Sequence, residues 1–286
     1  MSSESSGPPH VAFFNVSAHG HVAPTLGIVH RLTRAHGAKV HYFCYGDCHR
    51  EAIESAGAEY VETAYEGFSI SDHNAGCTSF ELCLQPAAVA ILPGVIGKLQ
   101  ELDVELVVHE LFSVWGAYAA TVLGLPRVCL VTAPVQDDID LEDKILNSTY
   151  RTSDKPSASN EAAQSALMDK YGIDTTWKES LCTYAPRTLV LTTKAFQPPF
   201  TSATPSDCFV FVGPVIHEEG LPQASAELEH FLKELHAKRD ERSASGAARL
   251  PVVLVCLGTV ASPDPKFWTQ VFAAGADCEA LIVAAL

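Results

Sequence analysis

The 286-residue chain is short of positive charge: 19 Lys and Arg stand against 34 Asp and Glu, a formal net charge of −15. A sequence-independent nucleic-acid surface needs clustered cations to displace counterions, so the charge balance argues against one. No run reaches the roughly 18 apolar residues that a membrane span requires. The N-terminal "MSSESSGPP" has neither the basic nor the apolar region of a secretory signal, and residues 1–9 read as a disordered lead-in. The 9 cysteines include no C-x-x-C pair, and their odd number and irregular spacing do not make a disulfide framework. Buried reduced thiols are the expectation, and they fit a cytoplasmic protein. There is no G-x-S-x-G elbow, which disfavours an α/β hydrolase, and no repeat at solenoid spacing.

What is present is an ordinary globular composition, 47% hydrophobic and 19% charged. Apolar runs alternate with helical patterns. "HVAFFNVSA", "KVHYFCY", "AEYVET", "VELVVHE" and "PRVCLVT" read as strands buried on both faces. Between them, 23–36 reads as a helix with Pro24 in its first turn and Gly37 past its end. A short helix over 47–56 ends at Gly57, a longer one covers much of 80–102 with Pro86 and Pro93 set to break or kink it, and another covers 112–123. The βαβαβ order implies an α/β fold with a doubly wound parallel sheet and right-handed crossovers. Loops are expected over 64–80 and much of 134–186, including a mobile "TSDKPSASN", with a helix near 161–171 and two more strands in "RTLVLTT" and "CFVFVGPV".

A charged helical segment over 224–242 carries one apolar stripe, Phe231, Leu232 and Leu235. "LPVVLVCLG" then opens a new buried strand, Ser262 is a candidate N-cap for the next helix, and "CEALIVAAL" begins another strand. The roughly 36 residues after Leu250 are fewer than a domain of about 50–250 residues needs. The expected organisation is one complete domain over 10–222, a helical linker over 223–249, and over 250–286 the first βαβ portion of a second Rossmann-like domain.

The residues that carry chemistry cluster at strand ends. "SAHGHVAP" follows the first strand, and His19 lies where open parallel sheets bind ligands. With an ordinary pKa near 6.5, a histidine there is placed to act as a general base. Position alone leaves an uninvolved loop histidine open as well. His21 and Pro24 are read as shaping the turn and starting the helix. A metal centre is disfavoured, because His-x-His supplies two ligands where zinc needs three or four, and no Cys/His cluster elsewhere has a ligand spacing. "AHGHVAP" holds one of the three glycines of a dinucleotide turn. Glu110 closes the fourth strand. It either orients the His19 imidazole or caps the helix that begins near Phe112, and both readings stay open. Gly258-Thr259 ends a strand before a helix, where backbone N–H groups and a hydroxyl can meet a phosphate, although an ordinary turn has the same form.

Taken together, these stretches resemble the UDP-dependent glycosyltransferases of the GT-B fold, the macrolide type above all. The resemblance rests on "HVAFFNVSAHGHVAPTLGIVHRLTRAHGAKVHYFCYGDCHREAIESAGAEYV", on "RTLVLTTKAFQP" with "FVFVGPV", and on "VVLVCLGTV" with "PKFWTQVFAA". It implies a GT-B N-terminal Rossmann-like domain that binds the acceptor. It also implies inverting transfer of a hexose from a UDP-sugar to a hydroxyl of a small, largely apolar acceptor, with no metal and no cofactor beyond the UDP-sugar as co-substrate. On this resemblance His19 is the catalytic base and Glu110 its orienting acid, where the family carries aspartate. Gly20, Gly258 and Thr259 are the candidate donor-binding residues. The family's further donor motifs have no counterpart before Leu286, so a C-terminally truncated enzyme is expected, with a non-catalytic paralogue that binds an acceptor-like ligand or a partner chain as the alternative.

Overall fold

The computed structural model describes residues 7–63, 84–135, 158–176, 179, 184–200, 206–215, 226–244, 251–256, 265–278 and 280–285. The chain divides into two compact units, Met1–Gly220 and Leu221–Leu286.

The first unit holds a seven-stranded parallel sheet. Its strands are β1 (His10–Phe14), β2 (Lys39–Cys44), β3 (Glu59–Glu62), β4 (Leu106–Glu110), β5 (Arg127–Val131), β6 (Thr188–Val190) and β7 (Phe209–Phe211), in the order β3-β2-β1-β4-β5-β6-β7. Its helices are α1 (His19–His36), α2 (Arg50–Ser55), α3 (Leu84–Glu101), α4 (Val114–Leu123) and α5 (Ala158–Tyr171). Successive residues of a strand point to opposite faces, which explains why the runs are apolar throughout rather than alternating. Val11 and Phe13 pack with Tyr42 under Val22, Val29 and Ile53, on the α1 and α2 side. Ala12 and Phe14 pack with Phe43 under Leu92, Leu99 and Trp115, on the α3 and α4 side. Phe14 stacks on Phe43 with ring centroids 4.4 Å apart. The doubly wound architecture expected of the first unit is therefore present.

Two helix boundaries differ from the sequence expectation. α1 begins at His19, not near residue 23, so Pro24 is its sixth residue. The missing N–H of Pro24 removes only the bond to Gly20, within the first turns, and Val22, Thr25 and Val29 bury a continuous stripe that holds the helix together. α3 runs unbroken through Pro93, where a break was expected. Ala88, Leu92, Val95 and Leu99 are all buried, and this packing outweighs one lost backbone bond. The helical stops were read correctly: Gly37 and Gly124 both adopt φ of 65° at the C-caps of α1 and α4. The expected loop over 64–80, the "TSDKPSASN" stretch and the Ser262 cap lie outside the described residues.

The second unit contains α6 (Ala226–Ala244), β8 (Val252–Cys256), α7 (Pro265–Asp277) and β9 (Leu281–Ala285). β8 and β9 pair in parallel, from Val252 opposite Leu281 to Cys256 opposite Ala285. This is the βαβ portion expected of residues 250–286. Phe231 and Leu232 of the α6 stripe are exposed, as are Val253 and Leu254.

Two outcomes follow for the first unit. A Cβ on Gly116 of α4 would lie 2.7 Å from Phe14 Cγ and Cδ2, so Gly116→Ala should destabilise by about 1–3 kcal/mol in urea unfolding. An unchanged midpoint would show that α4 shifts freely. His109 is fully buried, and burial together with the Arg127 charge pushes its pKa down to about 3. The unfolded chain therefore binds a proton here below pH 6.5 that the folded chain refuses down to about 3. Stability contributed by neutral His109 is fully present above pH 6.5 and is lost as pH falls, by up to about 1.4 kcal/mol per pH unit. His109→Gln should flatten the stability profile across that window.

Candidate active site

β1 and β4 are neighbours at the point where the strand succession reverses, from 3-2-1 on one side to 4-5-6-7 on the other. Connections leave this point to opposite faces, and a crevice opens at the carboxyl ends of the two strands. α1 leaves from β1, and Glu110 is the last residue of β4. Glu110 alternates with Val108, which packs on the α1 side of the sheet, so its side chain enters the crevice beneath α1.

There the two oxygens of Glu110 divide their roles. Oε2 accepts the backbone N–H of Phe112 at 2.9 Å, and Oε1 lies 3.0 Å from Nδ1 of His21. The cap and the orienting carboxylate, alternatives on sequence grounds, are one group. The imidazole, however, belongs to His21. The expected contact between Glu110 and His19 is not made: His19 is exposed, and its ring faces that of His49, centroids 6.1 Å apart. The reason is the early start of α1. Residues two apart on a helix point about 200° away from each other, so when His21 turns inward His19 must turn to solvent. The added methylene of glutamate over aspartate does not keep the carboxylate from the ring.

Glu110 is 2% exposed and His21 26% exposed. Burial pushes the His21 pKa down, but contact with Glu110 and the charge of its carboxylate together outweigh this and leave it above the ordinary 6.5. With Nδ1 turned to Glu110, Nε2 carries the free lone pair, and no hydrogen bond to it is found among the described residues. The His21 ring also packs edge-on against Phe112, at 5.6 Å. The arrangement is a half-buried imidazole with a fixed tautomer and a carboxylate behind it, a form suited to accepting a proton.

Of the other expected site residues, Gly20 is exposed, with open space where a Cβ would stand. Gly258 and Thr259 lie outside the described residues. Among the described residues no group of three or more His, Cys, Asp or Glu is placed to hold a metal ion. No described helix is long and apolar enough to cross a membrane. The helical position of His21 is the signal the sequence reading missed: taking Pro24 as the start of α1 left "SAHGH" as a loop with no inward face.

No protein-family model matches the chain. It is similar to oleandomycin glycosyltransferase of Streptomyces antibioticus, 24% identical over 92% of this chain and 57% of that protein. It is also 24% identical to the NDP-glycosyltransferase YjiC of Bacillus subtilis, over 91% of this chain and 60% of that protein. The chain thus spans less than two thirds of the length of these relatives. Among solved structures, the calicheamicin glycosyltransferase CalG4 matches 97% of this chain and 64% of its own at 26% identity and a TM-score of 0.66. Medicago truncatula UGT71G1 complexed with UDP-glucose matches 97% of this chain and 67% of its own, with a TM-score of 0.61. At 12% identity it shows likeness of fold alone. In sequence and in architecture the chain resembles glycosyltransferases of the GT-B fold.

The Glu110 pairing is directly measurable. Glu110→Gln keeps the burial of His21 and removes the compensating charge, so the His21 pKa in a histidine NMR titration should fall by roughly one pH unit or more. An unchanged titration would show that the pair does not form in solution.

Proposed function

We propose that this chain supplies the acceptor-side half of an inverting GT-B glycosyltransferase, with His21 as the general base and Glu110 as its orienting acid. The observation that carries the reading is the 3.0 Å contact between His21 Nδ1 and a buried carboxylate at the switch point of the sheet. Nε2 of His21 takes the proton of an acceptor hydroxyl. The acceptor oxygen forms its bond to the anomeric carbon of the sugar as the bond from that carbon to the diphosphate breaks, and the nucleoside diphosphate departs. Attack on the face opposite the leaving group inverts the anomeric centre. Glu110 stabilises the imidazolium that forms and stays ionised. The base assignment moves from His19 to His21 because a base needs an orienting partner, and Glu110 meets only the latter.

The donor is proposed to be a UDP-hexose, on the likeness to a fold whose relatives include one complexed with UDP-glucose. Gly20, Gly258 and Thr259 remain the candidates for meeting its diphosphate. A small, largely apolar acceptor fits a recess of about 300 Å³ at the same carboxyl edge, between the ends of β2 and β3 and α3. Phe43, Val61, Ile91 and Val95 line it, with Thr63 and Lys98 as polar points.

The test is transfer from UDP-glucose to a panel of hydroxylated aromatic and macrolide acceptors, read by release of UDP. His21→Ala should lower kcat/KM by on the order of 10²–10⁴-fold, while His19→Ala stays close to the parent. The opposite ranking would return the role to His19. Because the base must be neutral, kcat/KM should rise with pH through an apparent pKa above 6.5, and Glu110→Gln should lower that midpoint. Acceptor binding in calorimetry without UDP binding or turnover would instead favour a non-catalytic acceptor-binding protein.

A further inference from the structure

α1 starts poorly secured. Its N-cap, Ala18, makes no side-chain cap bond, and its first turn has no acid to meet the helix dipole. Pro24 deprives the Gly20 carbonyl of its helical donor. Yet His21 sits in this turn, and the carboxylate it must reach cannot follow it, because Glu110 is held from the other side by the Phe112 N–H.

The turn is held from outside the helix. Asn15, directly after β1 and 1% exposed, donates through Nδ2 to the His21 carbonyl at 2.9 Å and to the Tyr42 hydroxyl at 2.8 Å. The Tyr42 hydroxyl lies 2.7 Å from Thr25 Oγ1, which donates to the Val22 carbonyl at 2.7 Å. The donors permit one order. Thr25 gives its proton to Val22, so it accepts from Tyr42, and Tyr42 accepts from Asn15. Both amide protons of Asn15 are thereby committed, while its Oδ1 has no hydrogen-bond partner. Tyr42 and Thr25 are fully buried. Side chains from the end of β1, from β2 and from α1 thus grip two successive carbonyls, those of His21 and Val22.

We infer that Asn15 is the positioning residue for His21: its amide fixes the backbone of the first turn of α1 against the sheet, and through it the distance from the imidazole to Glu110. This rests on the reading of His21 as the base. Asn15 touches neither the imidazole nor the carboxylate and acts through the His21 carbonyl. Tyr42 and Thr25 hold the second amide proton in place and so keep the first aimed.

The test is Asn15→Leu, similar in size and uncharged, and it gives up no bond through Oδ1. The readouts are the His21 titration and ring tautomer by NMR of ¹⁵N-histidine-labelled full chain, assigned against His21→Asn, with unfolding followed in parallel. In a folded Asn15→Leu protein the His21 pKa should fall by roughly one pH unit, and the Nδ1–H tautomer should give way to a mixture. Tyr42→Phe should move both in the same direction by less. Where turnover is measured, kcat should drop roughly tenfold or more with the acceptor KM little changed. A folded Asn15→Leu protein with the parent titration and tautomer overturns the inference, even if it is less stable. If Asn15→Leu does not fold, an unchanged His21 titration in Tyr42→Phe overturns it instead. These readouts need no catalysis, so transferase activity that survives His21→Ala would defeat the base assignment while leaving the positioning role to stand or fall on the spectra.

Discussion

The arrangement turns on one buried carboxylate whose two oxygens are both engaged. An ionised side chain that is 2% exposed is costly unless it is paired and hydrogen-bonded. Glu110 meets that requirement by accepting the Phe112 N–H with one oxygen and facing His21 with the other. Each partner then constrains its own surroundings. The N–H must be presented by the turn entering α4, which lies close to the sheet because Gly116 admits the ring of Phe14. The imidazole must descend from α1, which sets where that helix begins. The parallel pairing of β1 with β4 places both helices over one crevice.

The first turn of α1 shows how side chains replace what a helix lacks. A serine or aspartate cap would have secured it locally. Here the anchor is delivered from the sheet, by residues 27 positions apart in Asn15 and Tyr42. Such an anchor fixes the turn relative to the strands rather than only relative to its own helix. That is the more useful constraint when the partner of His21 stands on β4.

Much of this was legible in the sequence, and the failures share a cause. The buried strands, the parallel order and the glycine stops are written in local composition, and all were read. So was the meeting of a histidine after β1 with Glu110 at the end of β4, because strands of one parallel sheet share their carboxyl edge. The identity of the histidine was not. "SAHGHVAP" carries no capping residue at the true start of α1, and Pro24 imitates a first helical position, so the phase of the helix was hidden. Pro93 misled in the same direction: a local breaker was overruled by the burial of Leu92 and Val95. The Asn15–Tyr42–Thr25 grip has no sequence signature, since it joins three ordinary residues through contacts that exist only once β1, β2 and α1 are packed together.

Active-site residues commonly sit at odds with stability, and replacing them often makes a protein firmer while it loses function. Glu110 breaks that opposition. The carboxylate proposed to serve the chemistry is also the one that satisfies the orphan donor at the entrance to α4, so a neutral or shorter substitute weakens the scaffold and the site in one step. A lineage that drifted away from catalysis would not be rewarded for discarding this acid. Its presence in a sequence is therefore poor evidence that the chemistry has been kept, and the state of His21 is the better witness.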